Sequence, residues 1–173
     1  MMTDLYQLTM MNGYLVSGAA DNTAVFDVFF RHKGQINYAV SAGLEQAIEY
    51  INDLRFDAAD IEYLQALHLF DERFIDYLRN FRFTGDIYAV REGEIVFPGE
   101  PILTVKAPLI EAQLIETALL NIISHQTLIA TKASRIVRAA DGKKVVEFGL
   151  RRAQGPDAGI YGSRASIIGG CNG

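Results

Sequence analysis

The chain has 173 residues, half of them apolar and 21% charged, with a net charge of −5. That balance excludes intrinsic disorder, which needs low hydrophobicity with high net charge, and it argues against nonspecific nucleic-acid binding, which needs a cationic surface to displace counterions. Its one cysteine, Cys171, allows neither an internal disulfide nor a thiolate metal cage, so a reducing compartment is expected.

The start, through Met10, lacks the basic region and long apolar run of a signal peptide. Thr3 or Asp4 can cap a first helix, with Gln7 as capping-box partner; the helix should run to about Ser17 and stop at Gly18. It carries two apolar stripes, Leu5, Leu8 and Leu15 on one side and Tyr6, Met10 and Tyr14 on another, so both sides need cover, and a partner subunit would provide it. Ala24 to Phe30 is β-branched and aromatic and predicts a strand, followed by a basic turn, Arg31-His32-Lys33-Gly34. Three helices should follow: one from Ser41 or Gly43 to Asn52, one capped by Asp57 and reaching about His68, one capped by Asp71 and reaching about Asn80. Gly85 to Val105 alternates, with turns at Gly93 and Pro98-Gly99, and reads as one compact antiparallel unit of three short strands.

Ile110 to Ala140 is helical in pattern. Its length predicts two helices with a break near Ser124–Thr127. Ile110 to Ala130, the longest apolar candidate, is interrupted by Glu111, Gln113, Glu116, Asn121 and His125, so no membrane span of about 18 residues is expected and the chain should be water-soluble. Lys132, Arg135 and Arg138 read as a solvated face that complements the helix dipole. Lys144 to Phe148 predicts a strand and Ala158 to Ile168 a helix, the order of a first βα unit in a parallel arrangement. A lone strand of that kind needs partners, and the chain stops in a glycine turn at Gly169-Gly170; both features suggest part of something longer.

The run Glu147-Phe148-Gly149-Leu150-Arg151-Arg152-Ala153-Gln154-Gly155 carries the densest chemistry. Ligands bind at the C-terminal ends of parallel strands, and an arginine fork matches carboxylate or phosphate, so the run reads as an anion and flat-ring site; an interface salt bridge is the competing reading.

These residues, with Thr3 to Met10, Phe26 to Arg31 and Leu120-Asn121 through Ala133, give the chain a close resemblance to the N-terminal part of the nicotinate phosphoribosyltransferases. The resemblance implies an α/β protein: an N-terminal α/β region with a small antiparallel β-sandwich-like part, leading into an irregular TIM-like barrel that is incomplete here. The implied division is 1–109, with the β unit at 85–105, and 110–173. The implied reaction joins nicotinate to 5-phosphoribosyl 1-pyrophosphate (PRPP), giving nicotinate mononucleotide and pyrophosphate, the first step of NAD salvage from nicotinic acid. ATP hydrolysis is coupled and Mg²⁺ takes part, in a cytoplasmic homodimer whose active site is shared between subunits.

Carried over by position, Tyr6 matches a tyrosine that reaches the ring from the partner subunit, and Phe148 the aromatic on the other ring face. Arg151 matches an arginine near the ring and phosphates; Arg152 favours an acid substrate; Arg31, with Lys33 as a possible helper, matches a phosphate contact across the dimer. The family's phosphorylated histidine is expected beyond residue 173, since His32, His68 and His125 do not occupy its motif, and the 173-residue chain alone is expected to be inactive. No metal ligand is expected among these residues. Two alternatives stay open: a related enzyme using nicotinamide or quinolinate, or a non-catalytic interaction module.

Overall fold

The computed structural model describes residues 2–31 and 36–173. His32 and Lys33 of the basic turn lie outside them. Helix α1 spans Leu5–Ser17 and is followed by strands β1 (Thr23–Val28) and β2 (Ala39–Val40). Helices α2 (Leu44–Asp53), α3 (Ala58–Ala66) and α4 (Glu72–Arg79) come next, then β3 (Asp86–Ala89), β4 (Ile95–Val96) and β5 (Leu103–Pro108). Helix α5 (Leu109–Ala139), a 3₁₀ turn (Leu150–Arg152) and α6 (Pro156–Ile168) complete the mixed α/β chain. It divides into two compact units, each assembled from three separated segments: Met1–Phe26, Ile48–Tyr88 and Thr104–Leu119 in the first; Asp27–Ala47, Ala89–Leu103 and Leu120–Gly173 in the second.

The helix ends follow local chemistry. Gly18 closes α1 in the left-handed conformation at φ 78°, where a Cβ would be strained. The Asp57 carboxylate accepts the Asp60 amide at 2.8 Å to start α3, and that of Asp71 accepts the Arg73 amide at 2.9 Å to start α4. His68 follows α3 with φ 53°, outside the helix.

In the first unit, Phe74, Leu78 and Phe81 are fully buried along with Leu114 and Ile115. Phe81 meets Phe56 edge-on, with centroids 6.0 Å apart. Gln7 is also fully buried. Its Nε2 donates to the Gln113 carbonyl at 2.9 Å and to Glu116 at 3.3 Å. Its Oε1 accepts from the Thr3 hydroxyl at 2.7 Å and the Asp4 amide at 3.3 Å. All four bonds of the amide are used, so the capping-box residue also ties α1 to the start of α5. The outer side of α1 leaves Leu5, Tyr6, Met10 and Val16 exposed.

Helix α5 is continuous through 31 residues. The break that its length suggested at Ser124–Thr127 is therefore absent, and Thr127 is a cross-link within an unbroken helix. The Thr127 hydroxyl donates to the Ala42 carbonyl at 3.1 Å and accepts the Ala42 amide at 3.2 Å. The Thr131 hydroxyl donates to the Thr127 carbonyl at 2.6 Å and accepts the Val40 amide at 2.9 Å. Thr131 thus satisfies the Val40 amide of β2, and Thr127 both backbone groups of Ala42 just beyond the strand. On the other side β2 pairs antiparallel with β4, Ala39 opposite Val96 and Val40 opposite Ile95.

That pairing also corrects the single three-stranded unit expected over 85–105. Its strands form near the anticipated positions but separate: β4 joins β2, while β3 and β5 enter a sheet of order β1-β5-β3. Residues 144–148 form no strand either. Their backbone groups bond to the chain's last residues: Val145 accepts the Asn172 amide at 2.8 Å and the Glu147 amide donates to the Gly173 carbonyl at 3.0 Å. A strand needs a ladder, and no described segment supplies one beside 144–148.

In the second unit, α6 packs closely on α5 through small residues. Ala130 and Ala165 are fully buried together with Ala42. A Cβ at Gly169 would lie 2.4 Å from the Ala130 carbonyl oxygen. No helix among the described residues is long and apolar enough to cross a membrane.

Candidate functional site

The run singled out in the sequence folds as one exposed corner. The 3₁₀ turn closes with the Arg152 amide donating to the Gly149 carbonyl at 2.8 Å. Two contacts fix it to α6. One is apolar: a Cβ at Gly159 would come 2.4 Å from Leu150 Cδ1, so Leu150 rests on bare helix backbone. The other is polar: Glu147 accepts the Gly149 amide with one carboxylate oxygen and the Ser163 hydroxyl, at 2.9 Å, with the other. Gly155, at φ 107°, makes the bend that a side chain would resist, and Pro156 begins α6 with the preset backbone angle suited to a first helical turn.

On this turn Arg151 and Arg152 are exposed. Phe148 is 78% exposed, the barest of the large apolar side chains among the described residues. Among the described residues no carboxylate pairs with either guanidinium. Two uncompensated forks beside a bare phenyl face can take a planar anion: the guanidiniums by bidentate hydrogen bonds, the ring by stacking.

Arg31 is exposed in the second unit, and no hydrogen bond or ion pair joins it to the turn among the described residues. Lys33 lies outside the described residues. Tyr6 belongs to the first unit and is half exposed. Partial burial, then the charge of Glu116, raises its phenol above the ordinary value, so it is a neutral donor at physiological pH. His125 sits inside α5, within 3.3 Å of the Ala158 carbonyl, which suits a packing contact between α5 and α6. No group of three or more His, Cys, Asp or Glu converges in metal-binding fashion among the described residues.

Sequence reasoning passed over the neighbouring polar hub. Arg164 of α6 donates to Glu92 at 2.6 and 2.9 Å, to Gln126 of α5 at 3.0 Å, and to Glu45 of α2. Glu92 in turn accepts the Gly43 amide at 2.6 Å and the Leu44 amide at 3.0 Å, capping α2 from a distant loop. Its carboxyl feels burial most, which pushes upward, yet the hydrogen bonds from Arg164 and those two amides hold it below its ordinary value. Glu92, and after it Glu45, raises the Arg164 guanidinium above its ordinary value. One signal was legible: a lone arginine in Gly162-Ser163-Arg164-Ala165-Ser166, where small neighbours give a large side chain room to reach across. Of the cations near the end of α5, Arg135 stacks on the Tyr38 ring, 5.0 Å from its centroid. It lines with Arg138 an open groove of about 540 Å³.

Set against known proteins, residues 1–124 match a family model described as the nicotinate phosphoribosyltransferase (NAPRTase) N-terminal domain. The nicotinate phosphoribosyltransferase of Bacillus subtilis is 52% identical over 169 residues, covering 97% of this chain and 34% of that protein. The crystal structure of human nicotinic acid phosphoribosyltransferase matches with a TM-score of 0.91 at 38% identity, over 99% of this chain and 35% of the human one. A nicotinate-nucleotide pyrophosphorylase from Pyrococcus furiosus is similar at a TM-score of 0.75 and 26% identity, over 99% of this chain and 36% of the other. The chain thus spans about a third of the length of the relatives it matches.

Proposed function

Since the chain belongs to the nicotinate phosphoribosyltransferase family, we propose that its exposed arginine turn serves the synthesis of nicotinate mononucleotide from nicotinate and PRPP, the first step of NAD salvage from nicotinic acid. The observation that carries the reading is the pair Arg151 and Arg152, held on one short turn beside Phe148 with no carboxylate among the described residues to neutralise them. In such a transfer positive charge develops on the ribose while pyrophosphate departs as an anion. Fixed cations near the leaving group and the substrate carboxylate stabilise that separation.

In this reading Phe148 lies against one face of the pyridine ring. Arg151 and Arg152 hold carboxylate and phosphate oxygens, and Arg31, with Lys33, contacts phosphate. Tyr6 reaches the ring of a neighbouring copy in a homodimer, which would also cover Leu5 and Met10. Residues 1–109 form the N-terminal α/β domain, and 110–173 the connecting helix and the start of an irregular α/β barrel. Such a barrel would supply the ladder that 144–148 otherwise lacks. The enzyme works in the cytoplasm without nucleic-acid or membrane partners. ATP hydrolysis is coupled to synthesis and Mg²⁺ accompanies the phosphates. The described residues do not offer a carboxylate–histidine cluster for Mg²⁺, so no step is assigned to it on this chain.

Calorimetric titration tests the reading. Nicotinate should bind more tightly than nicotinamide, and Arg151→Ala should weaken it roughly 10- to 100-fold, the loss of one charge-assisted contact. Equal binding by the unchanged chain and the Arg151→Ala variant would refute it.

A further inference from the structure

We infer that Glu147 is a positioning residue, which together with Ser163 clamps the arginine turn in a shape that receives an anion. The inference rests on the reading above, in which that anion is the pyridine carboxylate or a phosphate.

An acid this close to two arginines would ordinarily be expected to neutralise one of them. Here both oxygens are engaged elsewhere: one receives the Gly149 amide, the other the Ser163 hydroxyl at 2.9 Å. The carboxylate therefore joins the start of the turn to α6 and leaves both guanidiniums without a carboxylate partner among the described residues. The fit is close. A Cβ at Gly149 would stand 2.6 Å from the Glu147 oxygen, so a glycine is what lets the carboxylate lie across the turn. Leu150, resting on Gly159, supplies the second anchor on the same helix. Two anchors on α6 hold the backbone from which Phe148, Arg151 and Arg152 project, and a preformed turn lowers the ordering cost of binding. Glu147 thus acts through Gly149 and touches no ligand itself.

The test uses the full chain with Glu147→Ala, Ser163→Ala, Ser163→Thr and Arg151→Ala. Hydrogen exchange of the Gly149 amide reports the clamp; calorimetry with nicotinate and, separately, inorganic pyrophosphate reports its consequence. Glu147→Ala and Ser163→Ala should each speed that exchange and weaken nicotinate about tenfold. Ser163→Thr, which keeps the hydroxyl, should restore both. Unchanged exchange in Glu147→Ala, or unchanged affinity there while Arg151→Ala loses binding, would overturn the inference. If Glu147→Ala fails to fold, the Ser163→Ala and Ser163→Thr pair decides by the same two readings. If the unchanged chain binds neither anion, the proposed function fails instead, and Gly149 exchange alone then sustains or overturns the clamp.

Discussion

Removing the Glu92 carboxylate should open the second unit at the start of α2. Glu92 receives two backbone amides of that helix and two guanidinium nitrogens of Arg164. The side chains of the pair are 28% and 20% exposed, Arg164 first, so most of the contact is out of water. Breaking a buried pair by deleting one partner costs about 3–5 kcal/mol. Glu45 and Gln126 still receive Arg164, which lowers that figure. The lost cap on α2 adds about 1 kcal/mol. Glu92→Ala should therefore cost about 2–4 kcal/mol. Glu92→Gln, which keeps an oxygen for the amides, should cost less than Glu92→Ala. Urea unfolding measures the totals, and hydrogen exchange at Gly43 and Leu44 locates the effect. A double-mutant cycle with Arg164→Met isolates the coupling, expected at about 1–3 kcal/mol. If Glu92→Ala unfolds within about 0.5 kcal/mol of the unchanged chain, the range of ordinary surface substitutions, the hub carries no stability and the reasoning is wrong.

The same carboxyl sets a pH dependence. Its value in the folded chain lies below its ordinary 4.5, so its stabilisation is complete above that pH and is lost as the pH falls through the depressed folded value. Acid titration of stability should be shallower in Glu92→Gln than in the unchanged chain; identical slopes would contradict the assignment. Gly169→Ala tests the approach of α6 to α5. Gly169, just past the end of α6, has φ −72°, which alanine adopts freely, so the lower entropy of the unfolded chain alone would favour alanine by about 0.4–1 kcal/mol. The new Cβ, however, would meet the Ala130 carbonyl oxygen at 2.4 Å and the Ala133 Cβ at 2.7 Å, and backbone cannot swing aside. Overpacking of this kind costs about 1–3 kcal/mol, so the thermal midpoint should fall; a rise would mean the helices pack less closely.

What could be read in advance was local. Asp4, Asp57, Asp71 and Gly18 mark helix ends because a short side chain or a missing Cβ acts within one turn of itself. The run from Glu147 to Gly155 was legible as chemistry because an arginine fork matches carboxylate or phosphate. Long-range partners were not. The length of 110–140 looked like two helices because sequence cannot say which long-range contacts hold one helix together; Thr127 is held against Ala42. The alternation over 85–105 gave strand positions but not neighbours, since period two fixes a face and leaves the partner open.

By itself, then, the order of residues determined where the backbone turns, which faces are apolar, which family the chain resembles and that two arginines sit on a tight bend. Tertiary structure alone decided that Gln7 and Thr131 are internal linkers, that α5 continues unbroken, and that Glu147 looks toward Ser163 and not toward the arginines. The reason is range. Caps and bends are settled by atoms a few bonds apart, whereas a buried polar group is settled by whichever partner the folded chain brings within hydrogen-bond reach, 85 residues away for Thr127 and 106 for Gln7.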